Sequence, residues 1–240
     1  MPALLPEVVH RLQRLLQVTP SCPGCGQALA TPAAEGQRRG RLGLRPGSLG
    51  FCRTCAQQLG LPGDGLRGCH PLRWWSSGAY AGPLRQLLLN QRRQPERPVI
   101  AGLTATLALV LPEPSSRPWL VPIPSWKRQG NPLPAAICCS LAQQRGWRRV
   151  DLLQRSAPRI GQHHLNRQQR LQNQEGAFLC RRQPLTQQAR RHPLLLVDDI
   201  LTTGSTLASA AACLQAAGWQ VQGAVCLART PVRRARWSGS

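Results

Sequence analysis

Two adjacent acids, Asp198 and Asp199, separate an apolar run at residues 194–197 from a hydroxyl-rich segment at residues 202–206. The continuous apolar run predicts a strand that is covered on both faces in a parallel sheet. The Ala-rich stretch after the hydroxyl-rich segment predicts a helix that stops at Gly218. In this order of strand, loop and helix, the hydroxyls and the free N–H groups of the helix N-terminus form a predicted phosphate site.

Two carboxylates beside a phosphate site are unfavourable, because they repel the negatively charged phosphate. They are compatible with such a site only if they contact another part of the ligand or a cation. Sugar hydroxyls and Mg²⁺ are the two candidates. The alternative is structural, since Asp199 or a threonine can cap the following helix through its side-chain oxygen. The combination of both acids with Thr-Thr-Gly-Ser-Thr favours ligand binding.

The elements that must position these residues can be placed from hydrophobic periodicity and from proline and glycine breaks. We predict strands at residues 74–80, 119–124 and 221–229, and helices at residues 82–93 and 99–111. Strands and helices alternate, so the predicted fold class is α/β.

Two predicted loops carry cations. Lys127 and Arg128 follow the second of these strands, where two cations and exposed backbone N–H groups suit a pyrophosphate. Residues 155–176 are polar, basic and poor in apolar periodicity, which predicts a mobile loop and helix.

Two Cys-x-x-Cys pairs lie near the start of the chain, separated by 26 residues. They consist of Cys22, Cys25, Cys52 and Cys55. Two such pairs predict four thiolates on a tetrahedral structural Zn²⁺. A redox pair and unliganded thiols are the alternatives, and Cys69 or His70 can join the set. The other cysteines are predicted to be buried small hydrophobic residues, namely Cys138, Cys139, Cys180, Cys213 and Cys226.

The 240-residue chain has 31 basic and 9 acidic residues, which give a net charge of +22. Lys127 is its only lysine, so the basic residues are almost all arginine. Genome composition and selection for bidentate phosphate contacts are the two alternative explanations of this bias. The charge predicts attraction to nucleic acid, an anionic substrate or an acidic partner. No apolar run approaches the length of a membrane span, so we expect a cytoplasmic protein without one.

The segment around the acids resembles the signature of type I phosphoribosyltransferases. In that family the paired acids hold the ribose hydroxyls of phosphoribosyl pyrophosphate, and the following loop holds its 5-phosphate. The resemblance implies that Asp198 and Asp199 bind ribose and that the fold is a mostly parallel sheet flanked by helices. It also implies a phosphate pocket formed by Thr202, Thr203, Gly204, Ser205 and Thr206.

Over residues 20–230 the chain resembles the ComF family, a four-cysteine zinc module followed by a phosphoribosyltransferase domain. Besides both cysteine pairs and the Asp-Asp loop, the matching residues are Tyr80-x-Gly82-x-Leu84-Arg85, Val121-Pro-Ile-Pro124, Gln162-x-x-Leu165 and Arg170-x-x-Asn173. The turn that contains Lys127 and Arg128 is shortened, and Arg92 stands where a lysine commonly lies. These departures indicate a divergent branch, such as the cyanobacterial type.

The resemblance completes the predicted organisation of the chain. We predict an amphipathic helix at 1–18, a zinc module at 19–72, a phosphoribosyltransferase domain at 73–230 and a basic tail at 231–240. The polar segment 155–176 would close over the substrate and bring Arg170 to the leaving pyrophosphate.

The resemblance implies binding of phosphoribosyl pyrophosphate with Mg²⁺ and a part in DNA uptake during natural transformation. Single-stranded DNA and competence proteins are the partners this implies. Two other functions stay open. One is an active phosphoribosyltransferase in nucleotide or nucleobase salvage, with Asp198, Asp199 and Arg170 in catalysis. The other is a zinc-stapled nucleic-acid-binding protein without catalysis.

Overall fold

A computed structural model describes residues 20–29, 50–112, 117–125, 130–156, 177–181 and 192–231. Within these ranges the strands are β1 (Leu66–Gly68), β2 (Trp74–Ala79), β3 (Trp119–Pro122), β4 (Arg148–Arg149), β5 (Leu153–Arg155), β6 (Phe178–Cys180), β7 (Pro193–Leu201) and β8 (Gln220–Arg229). Six of them form one sheet in the order β1-β2-β8-β7-β3-β4. Only β1 runs antiparallel to its neighbour in this sheet. Strands β5 and β6 form a separate antiparallel pair.

Helices cover both faces of the large sheet. They are α1 (Arg53–Gln58), α2 (Gly82–Arg93), α3 (Arg97–Val110), α4 (Leu133–Arg145) and α5 (Ser205–Ala216). Helices α2, α3 and α4 each begin with a proline in the first turn, where the missing N–H costs no hydrogen bond. Their apolar side chains share one core with the sheet, while α5 and the β5–β6 pair share another on the opposite face. The described residues therefore form an α/β structure with a mostly parallel sheet, as predicted.

The central strand is longer than the sequence predicts. The apolar run predicts a strand that stops before the acids, whereas β7 continues through both of them to Leu201. The cause is parallel pairing with β8, in which Asp198 lies opposite Cys226 and Leu201 lies opposite Arg229. The acids are therefore part of the sheet and not of a loop.

Two further predictions need correction. Arg155 was expected in a mobile loop, but it lies on β5 because it pairs with Phe178 of β6. Cys139 was expected to be buried, but it is exposed, since it lies beside Arg149 and not on the face of α4 that carries the buried Cys138. Cys226 is buried as predicted, and the last two cysteines of that set, Cys180 and Cys213, are partly buried.

Several predicted features lie outside the described residues. These are the helix at 1–18, the basic tail from residue 232, and the cations Lys127, Arg128 and Arg170. Within the described part of the chain, no helix combines the length and the apolar character needed to cross a membrane.

Candidate functional site

The sulfur atoms of Cys22, Cys25, Cys52 and Cys55 all lie within 4.8 Å of one another. We refer to these residues as the four-cysteine cluster. Zinc–sulfur bonds of about 2.3 Å in a tetrahedron place neighbouring sulfurs about 3.8 Å apart. The Sγ atoms of Cys25 and Cys52 are 3.7 Å apart. The cluster can therefore bind a metal ion such as zinc, and its ligands are those that the sequence predicts.

Short local structure gathers the sulfurs. Cys52 is the N-cap of α1, so the first helical turn brings Cys55 to the same side. The backbone N–H groups of Cys52 and Gly24 donate to Sγ of Cys22 at 3.3 and 3.4 Å. Burial opposes ionisation, but backbone N–H groups lower the pKa of Cys22 to about 6. The thiols of Cys25 and Cys52 raise the pKa of Cys55 to about 12, because crowded sulfurs cannot all ionise without a cation.

The cluster packs against helix α3. A Cβ atom at Gly102 would lie 2.8 Å from Cγ of Pro23 and 3.2 Å from the Phe51 ring. Glycine at this position therefore permits the first cysteine pair to approach the helix. Cys69 and His70 do not join the cluster within the described residues; they line a separate pocket beside Trp74.

A cleft of about 550 Å³ opens at the carboxyl ends of the parallel strands, and we refer to it as the acidic cleft. Its volume lies in the range of small-molecule sites. Its polar lining consists of Tyr80, Arg92, Ser125, Asn131, Arg155, Asp198, Asp199, Thr202 and Thr206. The predicted acids and two of the predicted phosphate-loop residues therefore share one cavity.

Asp199 is enclosed by protein donors. Its Oδ2 accepts hydrogen bonds from Arg92 Nε at 2.5 Å and from Asn131 Nδ2 at 2.7 Å. Its Oδ1 accepts from Arg92 Nη2 at 3.0 Å and from the backbone N–H of Ile200 at 2.8 Å. Asp199 is 2% exposed. The pair with Arg92 is bidentate, which is the strongest common geometry for these two groups.

Asp198 has a different environment. It is half-buried, and its Oδ1 accepts the backbone N–H of Asp199 at 2.9 Å. Burial, together with the negative charge of Asp199, raises the pKa of Asp198 to about 8. The hydrogen bond from the Asp199 backbone and the positive charge of Arg92 act in the opposite direction.

The segment after β7 leads directly into α5. Gly204 has φ +84° and is the N-cap of the helix, while Ser205 and Thr206 are already in its first turn. Thr202 and Thr206 face the acidic cleft. Thr203 instead contacts Ser205, with their hydroxyl oxygens 2.9 Å apart.

Two residues that do not line the cleft hold this segment, Arg229 and Pro71. Arg229 Nη1 donates to the carbonyl oxygens of Leu201, at 3.1 Å, and of Thr202. Pro71 packs on Gly204 so closely that a Cβ atom there would overlap the proline ring.

Sequence reasoning did not predict five polar residues of the cleft as site residues, namely Tyr80, Arg92, Ser125, Asn131 and Arg155. The only sequence feature that could have marked Asn131 as a site residue is its position before Pro132, at the start of α4. Arg155 lies on a strand of only three residues, which is too short for a visible alternation. Its Nε donates to the Pro124 carbonyl oxygen at 2.9 Å, its guanidinium lies 4.1 Å from the Phe178 ring centroid, and burial lowers its pKa to about 10.

No protein-family model matches the chain, and no curated protein matches it in sequence. What the protein does must therefore be inferred from the four-cysteine cluster and the acidic cleft themselves.

Proposed function

We propose that this protein is a ComF-like phosphoribosyltransferase-family protein that binds phosphoribosyl pyrophosphate with Mg²⁺ in the acidic cleft. The observation that carries the proposal is the shared cavity: the Asp198–Asp199 pair, Thr202 and Thr206 line one cleft at the carboxyl edge of a parallel sheet. Ligands of open α/β sheets bind at this edge.

Each part of the ligand has a counterpart of suitable chemistry. Ribose hydroxyls donate to carboxylates, and the Asp198–Asp199 pair gives the cleft its carboxylate group for this contact. The 5-phosphate accepts hydrogen bonds from hydroxyls and from the free N–H groups where α5 begins, after Gly204. The pyrophosphate is an anion, and Arg155 is a cation in the same cleft. Lys127, Arg128 and Arg170 are the further cations that we assign to it.

If an acceptor binds, the reaction that suits this site is phosphoribosyl transfer. A nitrogen nucleophile would attack C1 of the ribose as the C1–O bond to pyrophosphate breaks. The acids would hold the ribose in line, and arginines would neutralise the leaving group. Mg²⁺ bound to the pyrophosphate would supply further neutralisation of charge.

The remaining parts of the proposal concern the cluster and the cellular role. We assign structural Zn²⁺ to the four-cysteine cluster, because an all-sulfur set of four ligands is typical of closed zinc sites. The ComF resemblance and the net charge of +22 support a role in DNA uptake in the cytoplasm.

Titration calorimetry with phosphoribosyl pyrophosphate and Mg²⁺ tests ligand binding. We expect the wild type to bind and the double variant Asp198→Ala/Asp199→Ala not to bind. Thr206→Val should weaken binding about tenfold through the loss of one hydroxyl. It serves as a second variant if the double variant unfolds. Asp151→Asn, in an exposed ion pair away from the cleft, is the matched control. A wild type that does not bind the ligand would refute the proposal.

A pyrophosphate-release screen over nucleobases and amines then separates an enzyme from a binding protein. Release with one acceptor class identifies the reaction. Binding without release would favour a regulatory ligand site.

The nucleic-acid-binding alternative is favoured by one observation, the charge of +22. Single-stranded DNA binding should weaken steeply as salt concentration rises if arginines contact phosphates. A flat dependence would exclude this alternative.

A further inference from the structure

The two acids lie near the end of β7 and line the same cleft, but their surroundings differ. Leu194 and Leu196 belong to the core on the α5 side, whereas Leu195 and Val197 belong to the core on the α2–α4 side. After the acids this order is reversed, because Ile200 lies in the α2–α4 core and Leu201 in the α5 core. The two acids therefore lie where the regular alternation of the strand breaks, and the contacts of each carboxylate distinguish them.

The carboxylate of Asp199 is saturated. An ionised carboxylate has about four lone-pair sites for hydrogen bonds. Arg92, Asn131 and the backbone of Ile200 already supply four donors. A sugar hydroxyl could bind Asp199 only by displacing one of them, in a position that is 2% exposed.

The donors to Asp199 are themselves held in place. Asn131 Oδ1 accepts the backbone N–H of Leu133 at 3.1 Å, which orients its amide at the start of α4. Next to Arg92, the buried Gln91 exchanges two hydrogen bonds with Glu96, at 3.0 and 2.7 Å, across the turn between α2 and α3. Asp199 therefore joins β7 to two helices whose ends are independently fixed.

We propose that the two acids have different roles: Asp198 contacts the ribose hydroxyls, and Asp199 is a positioning residue that acts through Arg92 and Asn131. This inference rests on the proposed function. Arg92 also neutralises Asp199, so the pair presents one uncompensated carboxyl group to an anionic ligand. Asp198 lines the cleft and is more exposed than its neighbour, as a ligand contact requires.

The test compares ribose 5-phosphate with 2-deoxyribose and 3-deoxyribose 5-phosphates by calorimetry. The wild type should bind ribose 5-phosphate about tenfold more tightly than at least one deoxy analogue, because a hydrogen bond to a carboxylate is lost. The Asp198→Asn variant should bind all three sugars with about the same affinity, so that the preference is lost. In Asp199→Asn all three sugars should weaken by the same factor, with the preference retained.

Two more variants keep the test valid if Asp199→Asn does not fold. Asn131→Ala and Arg92→Lys each remove hydrogen bonds to Asp199. In each variant, the affinity for all three sugars should fall by the same factor. Lysine keeps the charge but cannot pair in a bidentate manner, so Arg92→Lys should be the milder change than Arg92→Gln.

The outcomes distinguish the inference from the function on which it rests. If the wild type binds neither these sugars nor phosphoribosyl pyrophosphate, the proposed function fails and the inference fails with it. If the wild type binds but shows no preference, or loses the preference in Asp199→Asn and not in Asp198→Asn, only the division of roles is overturned.

Discussion

In the four-cysteine cluster every sulfur comes from one of two turns of four residues, whereas in the acidic cleft Asp199 is bonded by Arg92 and Asn131, 107 and 68 positions away. Local turns bring the cysteines of each pair together, and long-range contacts of Cys52 with Cys25 and Cys22 complete the set. The cleft instead requires the strand order of the whole sheet. A functional site can therefore be predicted from sequence to the extent that turns and short helices, and not long-range contacts, bring its residues together.

Removal of a cluster cysteine should have the largest effect. Structural zinc contributes about 10–16 kcal/mol of apparent binding free energy in small zinc domains at neutral pH. We expect Cys22→Ser to lose the metal and to unfold the cluster, whereas Cys139→Ser, which changes an exposed cysteine outside it, should have no effect. Metal analysis together with thermal unfolding measures both. Native protein without metal would show that the cluster is not a metal site.

Breaking the buried ion pair of the cleft should come next. Removal of one partner of a buried pair costs about 3–5 kcal/mol, and partial exposure reduces this. The Arg92 side chain is 37% exposed and that of Asp199 is 3% exposed. We expect Asp199→Ala to lower the free energy of unfolding by about 2–3 kcal/mol in urea titrations.

The matched control is the exposed pair of Arg149 and Asp151, whose side chains are 32% and 49% exposed. Asp151→Ala should cost less than about 1 kcal/mol. Equal effects of the two substitutions would contradict the role of Asp199 as an anchor between elements.

The pH dependence of ligand binding tests Asp198 separately. Its pKa is about 8 in the folded protein, so its ionised fraction rises from about a tenth at pH 7 to about nine-tenths at pH 9. The titratable and charged groups that interact with it include Asp199, Arg92, Arg155 and Cys226. Ribose hydroxyls donate to the ionised form, so affinity for ribose 5-phosphate should rise about tenfold over this range. Calorimetry on Asp198→Asn should show no such rise.

The same shift affects stability with the opposite sign. The folded-state pKa of about 8 lies above the ordinary value of 3.8, so the folded protein keeps a proton that the unfolded chain has released. The contribution of Asp198 to the free energy of unfolding should therefore fall as the pH rises from about 4 to about 8. Asp198→Asn should remove this fall, and a rise in the wild type relative to the variant would refute the assignment.

The smallest effect is expected where the four-cysteine cluster packs on α3. Gly102→Ala gains about 1 kcal/mol of helix propensity, but its Cβ would overlap Pro23, and overpacking costs about 1–3 kcal/mol. We expect a net loss of less than about 2 kcal/mol with metal retained. Gly63→Ala, which has open space around its Cβ, should be neutral in the same unfolding experiment. A loss of metal in Gly102→Ala would show tighter coupling between the cluster and α3.

The sequence predicts what depends on local pattern. Helix α2 has the predicted bounds Gly82–Arg93, because proline begins it and its apolar spacing is regular. The four cysteines gather as their spacing predicts. The end of β7 could not be predicted, because acids favour a loop locally and only pairing with β8 keeps them in the strand.

The roles of individual cleft residues were beyond prediction for the same reason. Arg155 reaches the cleft through a three-residue strand, and Asn131 through the start of α4. Nothing in the neighbouring sequence distinguishes them from surface residues. Arg92 differs from the family pattern only in that it replaces a common lysine, and this gives no sign of its partner. Its hydrogen bond to Asp199 joins two residues that come together only in the folded protein.

Gly204 is restricted in two independent ways, by its own backbone at φ +84° and by the ring of Pro71 against its α-carbon. Substitution of Pro71 would remove the contact but not the backbone requirement, so no single compensating change admits a side chain here. Descendants of this sequence that keep the loop must keep this glycine. Evolutionary variation of the proposed phosphate site would thereby be confined to the flanking hydroxyl residues, which would adjust the strength of ligand binding while the path of the backbone stays fixed.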